Sequence, residues 1–240
     1  MDLSKSQHAI LSYDYNFANG FRFKFETYYQ YLYNIPVQRY LSSFSMLNEG
    51  NSIEGLTLVD SLVNKGTGQN YGTEFTIEKF FSKHYYFLTT TSLYQSKYKG
   101  SNNIEYSTSF DGGYVYNALI GYELGLGKGK NQSLSLDLKY TQAGGNRYTP
   151  IDLEKSILAG ESVYIDNEAF SQKFKAYSRF DIKIAYKVNR KKTSQSLFFT
   201  VENIFDRQNI LTQTYNPDTK SVQTEYQFGL FPYGGYRIEF

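Results

Sequence analysis

Apolar and polar residues alternate one for one along most of this chain. From residue 180 to 188, Phe180, Ile182, Ile184, Tyr186 and Val188 share one parity, and Asp181, Lys183, Ala185 and Lys187 the other. Successive side chains of a strand point to opposite faces, so a period of two predicts a strand with one apolar and one polar face. Leu134, Leu136, Leu138 and Tyr140 alternate in the same way with Ser133, Ser135, Asp137 and Lys139, and Phe21, Phe23 and Phe25 with Arg22, Lys24 and Glu26. Tyr114, Tyr116, Ala118, Ile120, Tyr122, Leu124 and Leu126 make a further row, and Tyr236, Ile238 and Phe240 flank Arg237 and Glu239. The pattern predicts about nine main strands, near 8–17, 21–34, 70–81, 85–98, 113–127, 132–143, 178–190, 195–205 and 233–240. No segment has a helical period, although 152–159 fits one or two helical turns inside a loop.

The connections alternate between short and long. Ala18-Asn19-Gly20, Ser82-Lys83-His84, Lys128-Gly129-Lys130-Asn131 and Lys191-Lys192-Thr193-Ser194 read as tight turns. Long connections lie near 35–69, 99–112, 144–177 and 206–232, and a tenth strand fits inside 56–63 or 206–228. A soluble sandwich has no reason to place every short turn at one end, whereas an outer-membrane barrel has short periplasmic turns and long extracellular loops. The strands also exceed the ~5–6 residues usual in globular proteins and suit the ~9–11 of a transmembrane strand. Aromatic residues gather toward strand ends (Tyr13, Tyr15, Phe17, Phe21, Phe80, Phe81, Tyr85, Tyr86, Tyr114 and Tyr116), as in interfacial girdles. The expected fold is all-β: an antiparallel transmembrane β-barrel segment of about nine to ten strands, in a bacterial outer membrane, with residues 1–240 forming one unit.

Composition narrows the choice. The 240 residues include 25 Tyr and 19 Phe but no Trp and no Cys. Hydrophobic residues make up 40% and mean hydropathy is −0.51, with no apolar run of ~20 residues to form a membrane helix. Net charge is +2, which gives no electrostatic case for nucleic acid. Aromatic residues make up 18%, too many for a disordered chain. The lack of Cys excludes disulfides and thiolate metal sites. The start, Met1 to His8, lacks the charged and apolar regions of a signal peptide.

Four stretches carry a resemblance: Asn70-Tyr71-Gly72-Thr73-Glu74-Phe75-Thr76-Ile77-Glu78-Lys79-Phe80-Phe81, followed by Tyr85-Tyr86-Phe87; Gly144-Gly145-Asn146-Arg147-Tyr148-Thr149-Pro150-Ile151-Asp152; Tyr177 to Tyr186, followed by Val201-Glu202-Asn203-Ile204-Phe205-Asp206-Arg207-Gln208-Asn209; and Phe231-Pro232-Tyr233-Gly234-Gly235-Tyr236-Arg237-Ile238-Glu239-Phe240. Their order and spacing resemble the last part of TonB-dependent outer-membrane receptors of the Bacteroidetes type, across roughly residues 8–240. The resemblance implies a 22-stranded barrel with an internal plug, of which plug and N-terminal strands are absent from this chain. It further implies TonB-dependent uptake of a siderophore, glycan or peptide. The implied partners are outer-membrane lipid, the rest of the receptor, the TonB complex acting through the plug, and the barrel-assembly machinery. Tyr236, Ile238 and Phe240 resemble a C-terminal assembly signal. A small stand-alone outer-membrane barrel and a soluble all-β carbohydrate-binding module are the alternatives.

The long connections hold the candidate ligand surface, with Tyr148, Tyr164, Phe170, Phe174, Tyr215 and Tyr226 as aromatics able to stack on a ligand. Asn216-Pro217-Asp218-Thr219-Lys220 is a turn signature for the tip of a small loop hairpin, with too few carboxylates for a calcium site. The polar parity holds Arg22, Lys24, Glu26, Glu74, Glu78, Asp137, Lys139, Asp181, Lys183 and Glu202, expected to form a solvated wall facing the lumen. No enzyme, cofactor or metal site is expected. The chain has two histidines, His8 and His84, and no Gly-x-Ser-x-Gly elbow. Glu74 and Glu78 stand ~13 Å apart along a strand, too far for a glycosidase pair. Gly121, Gly125, Gly127 and Gly129 end a strand with no helix following, which rules out a phosphate loop.

Overall fold

Each alternating segment forms a strand at its expected place. The computed structural model describes residues 2–49, 61–127, 129 and 131–240. The strands are β1 (Lys5–Phe17), β2 (Phe21–Gln38), β3 (Leu62–Ser82), β4 (Tyr85–Lys99), β5 (Glu105–Ser107), β6 (Tyr114–Leu126), β7 (Gln132–Ala143), β8 (Arg147–Tyr148), β9 (Gln172–Lys173), β10 (Tyr177–Asn189), β11 (Ser194–Glu202), β12 (Ile210–Asn216), β13 (Ser221–Tyr226) and β14 (Phe231–Glu239). Among the described residues the one α-helix, α1 (Leu153–Ala159), lies where one or two helical turns were expected. Lys128 and Lys130 of the third tight turn, and residues 56–60 of a suggested tenth strand, lie outside the described residues. The other suggested segment, 206–228, makes the separate β12–β13 hairpin, with the expected tip at 217–220.

The main sheet is an antiparallel meander in the order β1-β2-β3-β4-β6-β7-β10-β11-β14, with β5 pairing β4. The nine strands of this path therefore pair in the order in which they follow one another along the chain, with the short β5, β8, β9 and the β12–β13 hairpin lying in the connections, and turns alternate between the two ends. The short ones fall at one end: Ala18–Gly20, 83–84, 127–131 and 190–193. Lys83 and His84 both have positive φ, as a two-residue hairpin turn of the strand-matching hand requires. The long connections 39–61, 100–113, 144–176 and 203–230 fall at the other end. β1 and β14 are the two edges and do not pair with each other, so the described sheet is open.

Register keeps the two parities apart across all nine strands. One row passes from Tyr15 through Phe23, Ile77, Thr89, Ala118, Tyr140 and Phe180, each opposite the next. Another joins Tyr122, Leu136, Ile184, Phe199 and Gly234. The opposite face carries Arg22 beside Glu78, Leu119 beside Lys139, and Lys139 beside Asp181. All ten charged residues of the polar parity lie on this face.

Burial reverses what a soluble sheet does. On the apolar face Ile184 is 48% exposed, Phe199 53% and Leu197 59%, whereas Asp181 and Thr200 on the polar face are 8% and 6% exposed. The buried apolar residues (Ile35, Val37, Tyr98, Tyr106, Ala169 and Tyr215) all lie at the long-loop end, so among the described residues no hydrophobic core covers either face of the sheet. Part of the polar face is thus enclosed rather than freely solvated. Asp181 is held by Arg179 at 3.0 Å and accepts the Asn203 N–H at 3.0 Å. Large rings lie flat over glycines on this face. A Cβ at Gly121 would sit 2.2 Å from Cε1 of Tyr86, whose hydroxyl donates to Asp137 at 2.7 Å.

Lys79 departs from the alternation. It stands in the apolar row between Phe21 and Phe87 yet is 3% exposed. A register shift between Lys79 and Ser82 turns it toward the β3–β4 turn. There its ammonium donates to Ser82 Oγ at 2.8 Å and to the carbonyls of Phe80, Ser82 and Tyr85. Phe80 and Phe81 are left exposed.

Candidate functional site: a cavity among the long loops

The four long connections are tied together by polar contacts. Ser43 donates to the Asp166 carboxylate from its backbone N at 3.1 Å and its hydroxyl at 2.6 Å. Asn48 Oδ1 accepts the Ser109 N–H at 3.0 Å, and the Ser109 carbonyl accepts the Arg147 N–H at 3.0 Å. Tyr215 N donates to Ser162 Oγ at 2.9 Å, joining the β12–β13 hairpin to the α1 loop. Asp152 caps α1 through the Lys155 N–H, and Gly160 with φ +75° ends it. The Lys155 side chain, then its backbone N–H, hold the Asp152 carboxyl below its ordinary value.

Asp111 anchors this group. Its side chain is 4% exposed and takes Lys97 Nζ and Arg147 Nε at 3.3 Å each, with the Ser96 N–H at 3.1 Å. Burial alone would raise its pKa. Hydrogen bonding from Ser107 and the Ser96 N–H, with the Lys97 charge, outweighs that and leaves it lowered.

The Gly144-Gly145-Asn146-Arg147-Tyr148 stretch gains a physical reason here. A Cβ at Gly144 would stand 1.8 Å from the Gly112 carbonyl oxygen, and one at Gly145 2.0 Å from that of Phe174. Only glycine lets these backbones approach so closely. The approach sets β8 against β9 and stacks Tyr148 on Phe174, with centroids 4.2 Å apart and planes at 10°. Farther along, Asn203 closes its own turn by accepting the Arg207 N–H and donating to the Arg207 carbonyl. Asn209 does the same across the sheet end with Ser178.

These contacts border an open cavity of about 730 Å³, within the range of small-molecule sites. Of the aromatics expected to form a ligand surface, Tyr148, Tyr164, Phe170 and Phe174 line it together. Tyr215 and Tyr226 do not: Tyr215, on β12, is 7% exposed, and Tyr226, on β13, is 49% exposed away from the cavity lining. Lining residues that composition did not single out include Ser43, Asn48, Tyr98, Ser109, Arg147 and Asp166. Short polar residues in a loop carry no pattern that marks them in advance. A second cavity of about 340 Å³ opens on the polar face near Gln30, Asn70 and Ser96. Those three side chains hydrogen-bond in series.

Three buried polar atoms among the described residues have no hydrogen-bond partner: Asn48 Nδ2, Tyr98 Oη and Ser109 Oγ. All three residues line the larger cavity. The Tyr98 hydroxyl lies near Ser43 and Asn48 without reaching hydrogen-bonding geometry. Each of these three atoms is buried behind the cavity wall rather than open to it. The charged groups, by contrast, have partners. Arg147 is engaged with Asp111 and with the Phe170 carbonyl, and Asp166 with Ser43.

No metal-binding group of three or more His, Cys, Asp or Glu side chains occurs among the described residues. No protein-family model matches the chain, and no curated protein matches it.

Proposed function

We propose that this chain is the C-terminal barrel segment of a TonB-dependent outer-membrane receptor, supplying wall and extracellular loops for uptake of a ligand. The observation that carries the reading is the inverted burial of the sheet: one apolar face runs across nine strands with many large side chains exposed, part of the polar face is sheltered, and no hydrophobic core covers either face among the described residues. Water is a poor neighbour for such a face, and lipid a good one. Dimensions agree. β6, β7 and β10 have 13, 12 and 13 residues. At ~3.3 Å per residue and ~45° of tilt they stand about 28 Å tall, close to the ~25 Å apolar band of such barrels.

The remaining features fit the same scheme. Short turns face the periplasm and the tied loops face outward. The free edges of β1 and β14 pair with the receptor's other strands to complete the wall, which also removes their aggregation hazard. The charged polar face meets the plug and water. Ligand captured by the loops passes when the TonB complex moves the plug, and this segment holds the frame. Tyr236, Ile238 and Phe240 present an apolar final edge to the assembly machinery. A soluble carbohydrate-binding module would need a core between its sheets, and a small stand-alone barrel would need β1 to meet β14.

The absence of Cys from this chain supplies the test. Asp218→Cys sits at the exposed tip of the β12–β13 hairpin, and Lys191→Cys in the exposed β10–β11 turn. In intact cells making the parent receptor, a membrane-impermeant maleimide should label the first and spare the second until the outer membrane is permeabilised. Equal labelling of both, or labelling of Lys191→Cys alone, refutes the topology.

A further inference from the structure

Charge divides the molecule along the strand axis. The short connections 18–20, 83–84, 127–131 and 190–193 hold six Lys and Arg and no Asp or Glu. The long connections 39–61, 100–113, 144–176 and 203–230 hold thirteen Asp and Glu against seven Lys and Arg. A net charge of +2 for the whole chain conceals this difference between its ends. Lys128 and Lys130 lie outside the described residues. The four described cations of the short connections, Lys83, Arg190, Lys191 and Lys192, are exposed. None of the four side chains has an ion-pair or hydrogen-bond partner among the described residues. On the adjoining strand ends Glu123 and Glu239 belong to the polar face, and Glu239 is paired with Arg237 at 3.0 Å. Lys79 takes no part, because Ser82 and the turn carbonyls already occupy its ammonium.

Backbone contacts fix these turns along one rim. The Glu123 N–H donates to the His84 carbonyl at 2.7 Å, which holds the 83–84 turn against β6. The Asn189 N–H donates to the Asn131 carbonyl at 2.7 Å and sets the end of β10 beside the β6–β7 turn. The Arg190 N–H closes its own turn on the Thr193 carbonyl at 2.8 Å. The apolar face reaches almost to this rim. Tyr85, Leu124 and Leu197, on that face toward the short turns, are 36%, 45% and 59% exposed. Lys83 is two residues from Tyr85, and Arg190 two from Val188, about 7 Å of extended chain in each case. A Lys or Arg stem spans that distance along apolar surface and delivers its charge at the border.

Unpaired cations bordering an apolar face complement a lipid whose headgroup is anionic. A zwitterionic headgroup brings its own cation beside its phosphate and gains less. A soluble acidic partner would meet the cations but not the adjoining Tyr85 and Leu197. We propose that the short-turn rim selects anionic phospholipid, with headgroup phosphates on Lys83, Arg190, Lys191 and Lys192 and acyl chains against the neighbouring apolar face. The proposal deepens the receptor reading, on which it rests for a bilayer around the sheet.

The test places the full receptor carrying Thr193→Cys, labelled with bimane, in phosphatidylcholine vesicles, with the unsubstituted receptor as background. A small fraction of spin-labelled phosphatidylglycerol or spin-labelled phosphatidylcholine is the quencher, so quenching reports lipid density at the turn. Phosphatidylglycerol should be enriched there about fivefold over phosphatidylcholine, the scale of one cation beside an anionic surface. Salt at about 1 M, where the screening length is about 3 Å, should abolish the enrichment. The combined Lys83→Gln, Arg190→Gln, Lys191→Gln and Lys192→Gln variant should abolish it too, with an unchanged urea midpoint in pure phosphatidylcholine. Lys175→Gln with Lys220→Gln removes two exposed cations from the long connections and should leave the enrichment intact. The salt response decides the matter if the fourfold variant fails to assemble.

Equal quenching by the two lipids overturns the proposal. So does enrichment that survives salt or the fourfold variant, or that the long-connection variant removes. Cysteine labelling in cells is read separately. Correct topology without enrichment defeats this proposal alone, and enrichment at the turns with reversed topology defeats the receptor's orientation alone.

Discussion

Replacing Leu136 by Arg places a charge near the middle of the apolar face. Leu136 lies on β7, 41% exposed, with Tyr122 opposite on β6 and Ile184 opposite on β10, themselves 49% and 48% exposed. β7 has 12 residues, so Leu136 is about one and a half residues from its midpoint, some ~4 Å from the bilayer midplane at the usual rise and tilt. Arginine at that depth in a barrel wall costs about 2–4 kcal/mol, a loss of roughly 30-fold or more in the folded-to-unfolded ratio. Were the same face in water, an exposed substitution would stay within about 0.5 kcal/mol. Ser135→Arg is the control. It is adjacent in sequence but faces the polar side, next to Asp137 on its own strand and opposite Glu123 on β6, where a cation is welcome. The assay is the amount of folded parent receptor in outer-membrane fractions, with the urea midpoint of the purified receptor in phospholipid vesicles. Leu136→Arg should fall on both measures while Ser135→Arg matches the wild type. Equal behaviour of the two variants would refute the lipid-facing assignment.

Other outcomes follow from the loop end. Arg147→Met removes one partner of the nearly buried Asp111 carboxylate, and about 1–3 kcal/mol of local stability should go with it; faster hydrogen exchange over 144–176, with the barrel's urea midpoint unmoved, would show it. Because the Asp111 pKa is lowered from 3.8, its stabilising contribution is complete above that value and disappears as pH falls through the lowered one. Exchange protection of this loop end should therefore hold down to about pH 4 and decline below it, and loosening already near pH 5 would contradict the assignment. Gly145→Ala drives a methyl into the Phe174 carbonyl, 2.0 Å away, and should part β8 from β9 and abolish ligand binding while outer-membrane content stays normal. If Tyr236, Ile238 and Phe240 form the assembly signal, deleting Phe240 should lower outer-membrane incorporation several-fold in pulse-chase without changing the stability of receptor already assembled.

The sequence by itself determined the strands, because a period of two is a local property. Each alternating segment became a strand, and the Ala18–Gly20 turn, the α1 turn and the hairpin tip at 217–220 followed from Gly, Asn and Pro chemistry. Strand ends were less legible. β3 begins at Leu62 rather than near 70, because its Gly66-Thr67-Gly68 stretch lacks an apolar pattern and is held by pairing with β2 and β4. The inward turn of Lys79 was equally hidden, since a register shift belongs to two strands at once.

Only the tertiary structure decided which face is sheltered. Parity separates apolar from polar residues but does not say which set is buried, and the exposure of Ile184 and Phe199 against the burial of Asp181 and Thr200 answers that. The cavity likewise needed four loops brought to one end by meander pairing. Gly144, Gly145, Asn48, Tyr98, Ser109 and Asp166 lie far apart in the chain, and their roles arise from approaches of 2–3 Å between separate connections. Alternation along one strand carries no information about such contacts, because each depends on where another strand's loop has been placed.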